Sequence, residues 1–260
     1  MQSHFKKRQK SLYFCRKVIN EMKQWLIFSG ILLFILTAGR AEEEGSENPK
    51  AQWQASVSLQ SQHYWRGLSI GKGPSLEADY SLTLDDSFSM GLWSGLALNS
   101  SYKEVDLYIA YTHNAFKVSL INYYCPQTIF SDEFINFCEQ TTAHTLDIIV
   151  ACNPRHIPIS VQVSTMIWGD DQDDNHSNFY STYVELGYHH QAEELLADFI
   201  IGYTPWESYY GPKDGVVNLQ ASGVYTVMQN NKHRMLCNAH ILYSPMAGRL
   251  MFGTGITFSL

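Results

Sequence analysis

The sequence predicts an all-β protein: a transmembrane antiparallel up-and-down β-barrel of about 12 strands that follows a cleaved signal peptide. Three observations lead there. Short segments alternating apolar and polar residues run up to Leu260 with no amphipathic helical stretch among them, their connections alternate long and short, and a leader of export type precedes them. At membrane depth every backbone polar group needs a partner within the protein, so an exported chain of alternating strands solves the problem by closing into a barrel.

The leader is set aside before the fold is read. Lys6, Lys7, Arg8, Lys10, Arg16, Lys17 and Lys23 precede an apolar run from Trp25 to Leu36, and small residues follow to Ala41. The run has the length of a signal-peptide apolar region and falls short of the roughly 20 apolar residues that a spanning helix needs. Residues 1–41 therefore read as a signal peptide cut after Ala41, with Met22 as an alternative true start that gives a more ordinary signal length. Residues 42–51 read as a periplasmic N-terminal tail and residues 52–260 as an outer-membrane barrel domain.

Removing the leader takes away eight of the 18 Lys and Arg but only Glu21 of the 25 acids, which leaves ten basic against 24 acidic residues, a net charge of −14. So acidic a chain is repelled by polyphosphate and by anionic membrane surfaces, which excludes nucleic acid as a partner and excludes a basic membrane-surface module.

Each strand is justified by its alternation. In the last, Leu250, Phe252, Ile256, Phe258 and Leu260 share one parity while Met251, Gly253, Gly255, Thr257 and Ser259 share the other. In the first, Trp53, Ala55, Val57 and Leu59 alternate with Gln52, Gln54, Ser56, Ser58, Gln60 and Gln62. The same reading places strands near 52–63, 74–84, 87–98, 103–112, 115–124, 143–152, 158–168, 179–190, 196–205, 216–228, 233–243 and 247–260. A soluble sheet can alternate too. Repetition without helices, and polar faces rich in Gln and carboxylates, favour the barrel.

The connections agree. Arg66 to Gly73, Asn99 to Tyr102, Pro126 to Thr142, Gly169 to Asn178, Trp206 to Gly215 and Ser244 to Met246 are mostly long, whereas those around Asp85-Asp86, His113-Asn114, Asn153 to Pro158, Gln191 to Leu195 and Gln229 to Lys232 are mostly tight. Long outer loops alternating with short periplasmic turns follow when both termini lie in the periplasm. Tyr64, Trp65, Trp93, Tyr102, Tyr123, Tyr124, Trp168, Tyr180, Tyr203, Trp206, Tyr209, Tyr210 and Tyr243 lie near strand ends or in loops, the pattern of an aromatic girdle at the headgroups.

Ser61-Gln62-His63-Tyr64-Trp65-Arg66-Gly67-Leu68-Ser69, then Gly73-Pro74-Ser75-Leu76-Glu77-Ala78-Asp79-Tyr80 and Gly91-Leu92-Trp93-Ser94-Gly95, resemble the opening of the TorF family of porins. That family typically carries an aromatic-Arg-Gly-Ile-Ser motif, a Pro-Ala pair, a Gly-rich second strand and a Gly-x-Trp-x-Ser third strand. The likeness is clearest over residues 55–100. Here Ser75 replaces the usual Ala, and Glu77-Ala78 stand where a Gln-Gly-Gly run is usual. The resemblance implies an outer-membrane barrel that acts as a channel, with no settled substrate.

With the Leu, Val, Ile and Phe parity toward lipid, Glu77, Asp79, Asp106, Asp147, Glu185 and Asp198 point into the lumen, with Lys117, Arg66 and His189 as the few basic counterparts. An acidic interior favours cations and slows anions. The expected function is passive diffusion of small polar solutes through a narrow, cation-preferring pore; the alternative from the same residues is a plugged structural barrel. Arg66 is expected at the barrel mouth, paired with Glu77 or Asp79.

The stretch Gly169-Asp170-Asp171-Gln172-Asp173-Asp174-Asn175 packs four carboxylates into five positions but lacks the Gly and closing Glu of a calcium loop of the EF-hand type. It reads as a solvated outer loop, and neither a metal site nor a cofactor is expected. Of the four cysteines after the leader, Cys125 and Cys138 flank the longest outer loop, so a disulfide between them is one reading. Cys152 and Cys237 read as free. His63, His189, His190 and His240 have Ser, Asp or Glu nearby, yet none sits at a spacing that calls for nucleophilic catalysis. The chain is read as no enzyme, with a barrel hydrolase and an adhesive surface protein built on Trp206-Glu207-Ser208-Tyr209-Tyr210 as alternatives. The expected partners are the lipid bilayer with its lipopolysaccharide and the outer-membrane barrel assembly machinery. For the latter, Phe252 and Phe258 fit a terminal assembly signal whose last residue is here Leu260 rather than an aromatic.

Overall fold

A computed structural model describes residues 51–126, 134–230 and 233–260. The readings of a leader and a tail, and the turn residues 231 and 232, lie outside the described residues. Fourteen strands follow one another: β1 (Ala51–Gln60), β2 (His63–Trp65), β3 (Leu68–Ile70), β4 (Ser75–Leu84), β5 (Phe88–Ala97), β6 (Lys103–His113), β7 (Phe116–Tyr124), β8 (His144–Cys152), β9 (Ile159–Gly169), β10 (Thr182–Ala192), β11 (Leu195–Thr204), β12 (Gly215–Gln229), β13 (Arg234–Ser244) and β14 (Arg249–Ser259). Twelve of them, β1 and β4 to β14, form one closed antiparallel barrel, while β2 and β3 make a separate two-stranded hairpin.

Closure joins β1 to β14, with Ser56 opposite Ser259 and Gln60 opposite Gly255, and β1 to β4, with Ala51 opposite Leu84. Ser58 and Thr257 share a hydroxyl hydrogen bond of 2.8 Å across the seam, and the Leu260 amide donates to the Ala55 carbonyl at 2.9 Å. Among the described residues the barrel sheet has no open edge, which is the condition for spanning a bilayer with strands.

The tight connections lie where the short polar dipeptides are. Asp85 and Asp86 both adopt positive φ (51° and 55°), the backbone of a type I′ turn, whose twist matches that of the strands it joins. Asn114 (54°) and Glu193 (48°) supply the same left-handed conformation at two further turns of that end. Every alternating register then has a fixed sense. Val57, Leu76, Leu107, Ile109, Val118, Val150, Val161, Leu186, Phe199, Phe252 and Ile256 stand exposed on the outside, where hydrocarbon in place of water removes the cost of exposure.

The interior departs from the sequence reading at the first long connection. The first strand was expected to run to residue 63; it ends at Gln60, and the chain turns back as the β2–β3 hairpin, whose tip lies within the barrel. Trp65 and Leu68 of this hairpin pack against a buried cluster of Met166, Tyr183, Tyr210 and Val217 from the wall and the β11–β12 loop, together with Met246. The physical reason is local. Arg66 and Gly67 take φ values of 49° and 82°, a two-residue I′ turn that reverses the chain between the β-favouring triplets His63-Tyr64-Trp65 and Leu68-Ser69-Ile70.

The hairpin also redraws the aromatic girdle. Tyr203, Tyr243, Tyr180 and Trp206 are exposed on the outside or in loops. Trp65, Trp93, Tyr102, Tyr123, Tyr209 and Tyr210 instead gather around the hairpin: Trp65 meets Tyr123 at 5.6 Å and Tyr210 at 5.6 Å between ring centroids, and His63 stacks on Tyr102 and lies beside Trp93, each at 5.2 Å. These rings are an inner plug cluster rather than a headgroup belt.

Candidate functional site

The hairpin tip carries a buried ion pair within the lumen. The Arg66 guanidinium donates through Nη1 to Asp147 Oδ2 at 3.0 Å and to the Tyr210 hydroxyl at 2.5 Å. Its carbon lies 4.6 Å from the centroid of the Trp65 ring and 5.2 Å from that of Tyr183. Tyr123 also donates to Asp147, at 3.2 Å. The expected pairing of Arg66 with Glu77 or Asp79 is thus not made. Arg66 reaches instead to β8 because the I′ turn carries it down and across the lumen, whereas Glu77 and Asp79 sit on the strand next to the hairpin's root. The ion pair is deeply buried, with side-chain exposures of 8% for Arg66 and 0% for Asp147, so each charge depends on the other for its stabilisation.

The hairpin seats closely. A β-carbon added at Gly67 would lie 2.3 Å from the Val217 carbonyl oxygen of β12, so no side chain fits at the tip. Above it, two loops fold over the mouth and tie together. Ser181 donates through its hydroxyl to Asp171 at 2.5 Å and accepts from the Tyr209 amide at 2.7 Å, while the Ser181 amide donates to the other Asp171 oxygen at 2.8 Å. Burial holds the Asp171 carboxyl above the usual carboxylate range, an effect partly offset by the Ser181 hydrogen bonds. Asp171 is therefore a buried strut within a loop expected to be solvated. Asp173, in contrast, is exposed and accepts from the Asn175 and Ser177 amides, a self-contained turn.

A cavity of about 420 Å³ remains beside the hairpin at this end, lined by His63, Trp65, Tyr102, Glu104, Tyr123 and Tyr209 among others. Cys125 lines it too and is a free thiol, as are Cys152 and Cys237, so the expected tie from Cys125 to Cys138 is not formed.

The other lumenal candidates occupy the parity expected for them. Glu77 accepts from His63 Nδ1 at 2.9 Å and from the Ser75 hydroxyl at 2.9 Å, anchoring the hairpin's root. Asp79 accepts from the Tyr108 hydroxyl at 3.0 Å. Asp106 is buried within hydrogen-bonding reach of Glu104, which Tyr102 also contacts. Glu185 accepts from the Tyr183 hydroxyl at 2.8 Å. Lys117, opposite Thr112 on the inward face near the short turns, is exposed. His189 and Asp198 face each other across β10 and β11 and join at 2.7 Å, and Ser160 of β9 meets the other ring nitrogen of His189 at 2.8 Å. That last grouping was not legible as spacing. It spans Ser160 to Asp198 and arises only from the registers of three adjacent strands. Among the described residues no group of His, Cys, Asp and Glu is arranged to hold a metal ion.

No protein-family model and no curated protein matches the chain. Among solved structures it is similar to the KdgM porin, with 6% identity over 79% of this chain and 97% of that one at a TM-score of 0.46. An outer-membrane channel from Pseudomonas putida F1 gives 11% identity over 84% and 99% at 0.43, and an anion-selective porin from Comamonas acidovorans 8% over 82% and 99% at 0.36.

Proposed function

We propose that this chain is an outer-membrane channel of the porin type, passing small polar solutes by passive diffusion through a narrow, cation-preferring lumen. The observation that carries the reading is a closed twelve-stranded barrel, apolar outside, whose inward face bears Glu77, Asp79, Glu104, Asp106, Asp147, Glu185 and Asp198 against Lys117, Arg234, Arg249 and the hairpin's Arg66. A barrel of this size leaves limited space, and the hairpin occupies much of it at one end. Solutes pass beside the hairpin, where Glu77 stands, and meet Asp79 further toward the short turns, so carboxylates line their way. Acidic linings of this kind raise the local cation concentration and repel anions.

Both described ends of the barrel chain lie at the short-turn end, since Ala51 pairs with Leu84 beside the Asp85-Asp86 turn and Leu260 bonds to Ala55. This agrees with periplasmic termini, with long loops facing a lipopolysaccharide leaflet outside, and with insertion by the barrel assembly machinery. The aromatic-Arg-Gly segment that resembles the TorF porins is the hairpin tip itself.

The test is direct. The mature chain, refolded in detergent and placed in a planar bilayer under a salt gradient, should give discrete conductance steps with a reversal potential toward that of the cation. A folded but silent barrel overturns the channel and leaves a plugged structural barrel; steps with anion preference overturn the selectivity alone.

A further inference from the structure

The short-turn end of the lumen holds an arrangement that passive diffusion does not use. We propose that Ser160, His189 and Asp198 form a nucleophilic triad that takes acyl groups from small, uncharged, water-borne carboxylic esters entering the lumen. The argument begins with hydrogen-bond direction. A carboxylate only accepts, so the 2.7 Å contact with Asp198 fixes the proton of neutral His189 on Nδ1 and leaves Nε2 as an acceptor. The 2.8 Å contact with Ser160 then has the hydroxyl donating to Nε2, the arrangement in which the imidazole can remove the serine proton as a general base.

Glycine at position 187 lets Ser160 and His189 close over the strand: a β-carbon there would lie 2.6 Å from Ser160 Oγ and 3.1 Å from His189 Nε2, so any larger residue would push the pair apart. Gly187 has no positive φ and lies mid-strand opposite Ser160, where glycine weakens a sheet. The three residues stand on adjacent strands of a closed sheet, which holds them more firmly than loops would. His189 and Asp198 keep side-chain exposures of 34% and 20%, so water and solutes reach them. Because all three face the lumen, bilayer lipid does not. Asp198, with Glu185 two positions before Gly187 on the same face, repels anionic esters.

In the step proposed, Ser160 Oγ bonds to the ester carbonyl carbon while its proton passes to His189 Nε2, and Asp198 stabilises the imidazolium. The bond from that carbon to the alcohol oxygen breaks, and the departing oxygen takes the proton from Nε2. Water then attacks the acyl carbon, gives a proton through His189 to Ser160 Oγ, and releases the carboxylic acid. The strand amides here are committed to the ladder, so the preorganised oxyanion donor worth about 10²–10³ in rate is not supplied. General-base assistance, worth about 10²–10⁴, is. Turnover is therefore slow, and covalent capture is the sensitive readout.

The refolded chain in detergent is treated with a neutral alkyl fluorophosphonate, whose phosphorus takes Ser160 Oγ with loss of fluoride, and labelled serines are read by peptide mass spectrometry. Ser160 should label about 100-fold faster than Ser58, which faces the same lumen and is bonded to Thr257 rather than to a histidine. His189→Gln and Gly187→Ala should bring Ser160 down to that background. Asp198→Asn, which presents the wrong tautomer, should slow it and Asp198→Glu restore it, a rescue that a merely structural aspartate would not give. Labelling of Ser160 no faster than Ser58 within the same folded barrel overturns the triad, as does a rate unchanged in His189→Gln. The comparison within one barrel needs no variant to fold, and its outcome is independent of the conductance record.

Discussion

Replacing Asp147 by alanine should open the lumen. The Arg66 guanidinium would keep its charge at any working pH, since arginine does not deprotonate in proteins, yet would lose the carboxylate that it meets at 3.0 Å in a place where Asp147 is wholly buried and Arg66 nearly so. Breaking one partner of such a pair costs about 3–5 kcal/mol. The Tyr210 hydroxyl and the faces of Trp65 and Tyr183 remain and hold part of the cation, so the lower figure is the better guide. At about 1.4 kcal/mol per tenfold, 3 kcal/mol moves the docked-to-undocked ratio of the hairpin by more than 100-fold. The barrel itself should stand, because β1 bypasses the hairpin and pairs directly with β4 and β14. Single-channel recording should show larger or more frequent openings in Asp147→Ala. Limited proteolysis should cut after Arg66 in the variant and not in the parent. Replacing both partners, Arg66→Met with Asp147→Leu, should restore the closed behaviour, since an apolar pair of similar volume is often as stable as a buried ion pair. Parent-like conductance and protection in Asp147→Ala would show that the pair does not hold the hairpin.

Other expectations follow from the same geometry. Gly67→Ala drives a β-carbon to 2.3 Å from the Val217 carbonyl oxygen and strains a φ of 82°, so it should displace the hairpin tip and raise conductance in the same recording. Glu77→Gln with Asp79→Asn should move the reversal potential toward zero, while a matched change at the exposed Lys117 should move it further toward the cation value. Leu107→Arg, on the lipid side midway along β6, should lower unfolding stability in urea by about 2–4 kcal/mol, with no change in selectivity. Asp171→Ala should leave the Ser181 amide and hydroxyl proton without an acceptor beneath the mouth loops and be read as faster protease cleavage between residues 205 and 214.

The barrel wall was legible because its cause is local. Side-chain parity and turn residues such as Asp85-Asp86 and Asn114 act over two or three positions, and the twelve expected strands match the observed ones within a few residues. Which carboxylates face inward follows from that parity alone, so Glu77, Asp79, Asp106, Asp147, Glu185 and Asp198 were identified without knowing a contact. Their partners were not legible. Arg66 meets Asp147 across 81 positions of sequence, and the choice depends on a hairpin folding into the barrel rather than standing above it. The signal for that fold was present in Arg66-Gly67 flanked by β-favouring triplets, in a stretch that reads as an outer loop. Likewise Ser160, His189 and Asp198 meet only through the registers of β9, β10 and β11, and no spacing rule encodes a register fixed by turn lengths on both sides.

The seam between β1 and β14 bears on how this molecule is made. The Leu260 amide bonds to Ala55 and Ser259 stands opposite Ser56, so the first strand stays half-unpaired until about 200 residues more have been synthesised. Contacts of such sequence separation make folding slow, and an apolar strand with an open edge is a template for joining other chains. The serine, glutamine and threonine facing on both sides of the seam keep one of its surfaces wettable during that wait. A bulky fusion directly after Leu260 would press on the last bond that shuts the sheet, and the sound place to attach a reporter is the exposed Trp206-Glu207 pair at the opposite end.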